Sequence, residues 1–134
     1  MFLSMLNDKL KPKFLQLAVN AANANGNFDN IEKNLISIMA LEMNIESDIT
    51  ESSSEKSLLS DIISCSSETE RRIMLFETIA ILYSDDKIED DETRFLHRIA
   101  SAFDIDHETI ATMITYISDY KRLYVDISNL LLEK

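Results

Sequence analysis

Apolar residues recur at three- and four-residue spacing along almost the whole chain. That is the period of helices that turn one face to a core. Phe14, Leu17, Ala18 and Ala21 form the first stripe, and Pro12 stands where a helix opens, because the N–H it lacks has no partner there anyway. Leu35, Ile36, Met39, Ala40 and Met43 form the second, with Asp29 or Asn30 as its cap. Leu58, Leu59, Ile62 and Ile63 follow a capping box of Ser52 and Glu55. Ser67 and Glu70 make another box ahead of Ile73, Phe76, Ile79, Ala80 and Tyr83. Phe95, Leu96, Ile99 and Phe103 mark the next helix. Asp106 caps a last region with Ile110, Met113, Ile114 and Ile117, expected to break near Lys121 and resume from Val125 to Leu132. Asn23 to Asn30, Glu46 to Ser54 and Asp85 to Asp90 read as connections. No segment alternates strictly, so no strand is expected. The pattern predicts an all-α bundle of six or seven helices forming one domain over 1–134.

A shift of sixty positions overlays two helix–loop–helix units, roughly 13–45 and 73–105. Gly26 falls on Asp86, Asn25 on Asp85, Phe28 on Ile88 and Glu32 on Glu92. Leu35 then falls on Phe95, Met39 on Ile99, Ala40 on Ala100, Met43 on Phe103 and Asn44 on Asp104. Helical periodicity alone does not demand the matched loop plug, Phe28 with Ile88, or the matched Glu32 and Glu92. A duplication accounts for both, and predicts two helical hairpins packed about a pseudo-two-fold axis.

Composition narrows the function. Gly and Pro occur once each, too few for a many-turned β fold or a glycine-rich phosphate loop. The net charge of −11 disfavours nucleic acid and anionic membranes as direct partners. No run approaches the roughly 20 apolar residues of a membrane span, and no basic leader precedes an apolar stretch. A single cysteine, Cys65, allows no internal disulfide and reads as a small buried hydrophobe. The expected setting is a reducing cytoplasm.

The loops invite a metal reading. With Gly26 as the sixth position of a calcium loop, Asn23, Asn25, Asp29 and Glu32 fall on ligand positions, but Ala21 occupies the first, where an oxygen is required. The second loop has Ile81 at that place. Asp85 to Glu92 nevertheless holds six carboxylates and one lysine, and a divalent cation relieves such repulsion. Oxygen ligands favour calcium or magnesium. The competing account is local: Asp90, Asp91 and Glu92 open a helix, where acids suit its positive end.

The stretches Ala22-Asn23-Ala24-Asn25-Gly26 with Glu32, and Leu82-Tyr83-Ser84-Asp85-Asp86 with Glu92, resemble the TerB-like tellurite-resistance domain, which is related to the N-terminal domain of DjlA-type membrane co-chaperones. The resemblance runs from about Phe14 to Ile114. It implies an all-helical fold of two pseudo-symmetric halves, a stress-response or membrane-linked role in protein assemblies, and metal chelation by Asp85, Glu92, Glu32 and Asn25. Asn25 is neutral where the family carries an acid, and Asp86 replaces the second glycine.

His97 is expected on the rim, and His107 opens a helix beside Asp106 and Glu108; neither has a second His at helical spacing. No nucleophile-elbow pattern occurs. The expected function is a non-enzymatic protein-interaction domain with a weak divalent site in its acidic loops. The alternative is an acidic immunity-type inhibitor that neutralises a basic partner by charge. Tyr120, Tyr124 and Leu130 to Leu132 are expected either to seal a dimer or to close the core.

Overall fold

The computed structural model describes residues 1–24, 30–46, 54–83 and 88–133. A single 3-10 turn, Leu3–Met5, precedes α1 (Leu10–Ala22), α2 (Asn30–Glu42), α3 (Glu55–Cys65), α4 (Glu68–Leu82), α5 (Asp90–Ala102) and α6 (His107–Leu131). The fold is all-helical, with no strand among the described residues.

The helix starts follow local chemistry. Asn7 Oδ1 accepts from the N–H of Lys9 and of Leu10 at 3.0 and 3.1 Å, so α1 opens two residues before Pro12, which sits in its first turn. Ser67 and Glu70 form the expected reciprocal box at α4, at 3.0 and 3.1 Å. Asp106 accepts from the N–H of Thr109 at 2.8 Å at the start of α6. The cap of α3 is Ser54, which accepts from the N–H of Ser57. Glu55 is therefore the first helical residue rather than half of a box, and Ser52 lies outside the described residues.

Two helix ends share one construction. Asn44 and Asp104 take left-handed backbone, φ 56° and 57°. Behind them the N–H of Ile45 reaches the carbonyl of Ala40, and that of Ile105 the carbonyl of Ala100, each at 3.0 Å. Both are Schellman closures with the following isoleucine packed against the core. They lie sixty positions apart, as do the starts and ends of α2 and α5.

The stripes of α1, α2, α3 and α5 face the core as expected, except that Leu35 is half-buried and Ile63 is exposed at the edge. α4 differs. Its buried set is Met74, Leu75, Glu77, Thr78, Ile79, Ile81 and Leu82, while Ile73, Phe76, Ala80 and Tyr83 are only half-buried. The reason is position: α4 packs against α1, α5, α6 and the 3-10 turn. A helix enclosed on several sides has no single apolar face to read. α6 also differs, running unbroken through Lys121.

Candidate functional site

α2, α4 and α6 leave an open cleft of about 680 Å³ between them. Ile38 and Met39 of α2, Phe76 and Ala80 of α4, and Tyr116 and Tyr120 of α6 line it. Ile38, Tyr116 and Tyr120 are exposed and Phe76 and Ala80 half-buried, whereas Met39 is a core residue that also reaches the cleft. The helical period puts Tyr116 above Tyr120 on one face of α6, while Ile117 turns inward and is buried. Lys121 donates to the carbonyl of Tyr83 at the end of α4. That bond satisfies a terminal carbonyl and fixes α6 along the cleft wall.

One end of the cleft is ionic. The Met1 ammonium binds Glu42 Oε1 at 2.7 Å and Glu77 Oε1 at 3.0 Å. The N–H of Phe2 donates to Glu77 Oε1 at 2.9 Å, and that of Leu3 to Glu42 Oε2 at 2.7 Å. Burial pulls the pKa of the ammonium down, but the hydrogen bonds and charges of Glu42 and Glu77 outweigh it and leave it raised. Glu77 is nearly enclosed, and a buried carboxylate needs such partners. Neither glutamate stands out from the loop motifs. The available signal is the position of Glu77, an acid between Phe76 and Thr78 inside an otherwise apolar run.

The residues expected to hold a metal fall differently. Asn25 and Asp85 lie outside the described residues, as do Gly26 and Asp86. Glu32 and Glu92 occupy equivalent places, the third residue of α2 and of α5, and both are buried, at 5% and 3% exposure. Glu92 Oε1 accepts from the N–H of Glu89 at 3.0 Å and so closes the start of its own helix. Among the described residues no three His, Cys, Asp or Glu side chains gather so as to hold a metal ion. Calcium takes six to eight oxygens, and the described residues bring together no such set.

One contact was not foreseen. The α5–α6 connection brings His97 and His107 together, rings 5.4 Å apart and edge to face, both exposed. Arg71 is used locally, its Nε on Ser66 Oγ and its Nη2 on the Ser66 carbonyl, each at 3.1 Å. Arg72 pairs with Glu68 one turn away.

No family model, curated protein or solved structure matches this chain. Among the described residues no helix is long and apolar enough to cross a membrane.

Proposed function

We propose that the chain is a non-catalytic helical module that binds protein, as its likeness to TerB-like domains implies. The observation that carries this reading is the apolar cleft between α2, α4 and α6, continuous with an α6 whose second half stands clear of the body. Soluble monomers rarely leave a contiguous apolar surface beyond a few hundred Å² without a use for it. Stress response and the cytoplasm rest on the resemblance and the composition, and stand as part of the proposal.

The acidic-inhibitor alternative needs a field of negative charge around the contact. The cleft offers little of that: Glu42 and Glu77 are engaged by the Met1 ammonium, and Lys121 borders the same wall. Packing rather than charge is the better basis for binding here.

The test is a photo-crosslinking amino acid at Ile38, which is 59% exposed in the cleft, introduced in the native cell. A discrete protein adduct is expected, and a crosslinker at exposed Ser60 on α3 should not give it. The absence of any protein adduct at Ile38 rejects the reading.

A further inference from the structure

We infer that the occupant of the cleft is a second copy of this chain: two copies pair about a two-fold axis, each laying the free half of α6 into the other's cleft. This rests on the reading of cleft and helix as a docking surface and names what docks.

The free half comes first. From Arg122 to Leu131 every residue of α6 except Ser128 is exposed. Those ten residues extend about 15 Å. An isolated helix of that length is marginal in water and takes its stability from packing. Tyr83 borders its first turn, and beyond that Ser128 is the one half-buried residue among those described.

Its sequence describes the surface it needs. Met113, Tyr116, Tyr120, Leu123, Ile127 and Leu130 recur at alternating three- and four-residue steps. Tyr124 and Leu131 widen the stripe on one flank. A strict two-position seam pairs two helices, whereas a three-position face suits a helix lying in a groove. The cleft is such a groove, and Tyr116 and Tyr120 belong both to its wall and to the stripe. The ridge and the groove are thus one continuous surface, which is what a self-complementary two-fold contact requires.

Charge favours a second copy over a basic protein. From Met113 to Leu132 the charged residues are Asp119 and Asp126 against Lys121 and Arg122, a net of zero in a chain of net −11. The acidic excess lies elsewhere, so this surface neither attracts a basic partner nor repels its own copy. Antiparallel helices crossing at Tyr120 bring Asp119 of each level with Lys121 of the other. Extent agrees. Ile38 and the seven exposed α6 residues from Tyr116 to Leu131 that lie on the stripe or its flank are between 46% and 74% exposed. At about 200 Å² apiece they offer on the order of 1,000 Å² per copy, against about 800 Å² in a standard stable interface.

Sedimentation of the full chain tests this at about 100 µM, above the micromolar dissociation constants that interfaces of this size reach. A species of twice the chain mass is expected, and a species of single mass overturns the inference. Leu123→Asp with Ile127→Asp on the helix, and separately Ile38→Asp in the cleft, should each give single mass while the body stays folded, losing at most the helical circular dichroism of the free half of α6, since all three side chains are exposed. An equimolar mixture of the two variants should recover part of the dimer, because each supplies the half the other lacks. A dimer that survives Ile38→Asp overturns docking in the cleft. A single-mass chain that crosslinks from Ile38 to a different protein overturns the second copy while leaving the binding module intact. Single mass with no protein adduct removes both.

Discussion

Asn44 and Asp104 stand sixty positions apart and carry the same left-handed turn behind the same hydrogen-bonded closure of α2 and α5. Left-handed backbone crowds a β-carbon against the next carbonyl, and Asn and Asp tolerate it better than other non-glycine residues. Asn44→Ala and Asp104→Ala are each expected to cost about 1 kcal/mol, while the corresponding glycine variants match or exceed the parent. Urea unfolding of the four variants checks this. Equal costs for Ala and Gly would show that the turn conformation is not what those positions supply.

Glu92 separates two roles by one substitution. Gln accepts the same N–H bond from Glu89 that the carboxylate accepts. Glu92→Gln should therefore melt close to the parent, and Glu92→Ala lower by about 1 kcal/mol of stability. The cation proposed for Asp85, Glu92, Glu32 and Asn25 has a different signature. If it binds, millimolar calcium or magnesium raises the melting temperature of the parent and not of Glu92→Gln. If metal moves neither, the cation proposal is withdrawn and the capping role remains.

The stability of the protein should decline toward both ends of the pH scale, by different groups. Burial alone pushes Glu70 up, but the N–H groups of Ser67 and Asn7 and the Ser67 and Asn7 side chains hold it below the usual carboxylate range. A depressed carboxylate stabilises above its unfolded pKa, about 4.3, and that share is lost as pH falls through the lower folded value. The Met1 ammonium is raised. Its share is present below the unfolded value, about 8, and is lost as pH rises through the higher folded one. Thermal melts across pH should show Glu70→Gln flattening the acid limb and Glu77→Gln flattening the alkaline limb. An alkaline limb unchanged in Glu77→Gln and in Glu42→Gln would remove the Met1 ion pairs as its cause.

Arg98 of α5 holds Glu55 of α3 through Nε and Nη2 at 2.7 and 3.0 Å. Both side chains keep substantial contact with water, so the two-point geometry rather than burial gives the pair its value. A double-mutant cycle with Glu55→Gln and Arg98→Met should return about 0.5–1 kcal/mol of coupling, shrinking with added salt. A coupling of zero at low salt would mark the pair as incidental.

What could be read in the sequence was local. The stripes of α1, α2 and α5 and the caps at Ser67 and Asp106 depend on residues three or four apart, and the fold has them. The six-helix count follows from α6 being continuous. The break expected near Lys121 does not form: no Gly or Pro stands there to end a helix, and Lys121 bonds back to α4. The burial of α4 escaped because enclosure on several sides erases the stripe. The clamp on Met1 escaped because its carboxylates stand 41 and 76 residues along the chain. Nothing in a linear pattern measures such a distance. Of the four residues expected at the metal site, the described chain includes Glu32 and Glu92, and gives Glu92 a capping bond.

Because α4 is enclosed by helices from both the beginning and the end of the chain, it acts as a keystone. Severing the protein between α3 and α4 would leave one fragment with an uncovered seat and the other with a greasy rod. Neither piece should hold its shape alone, and heat should dismantle the intact molecule in one cooperative event rather than half by half.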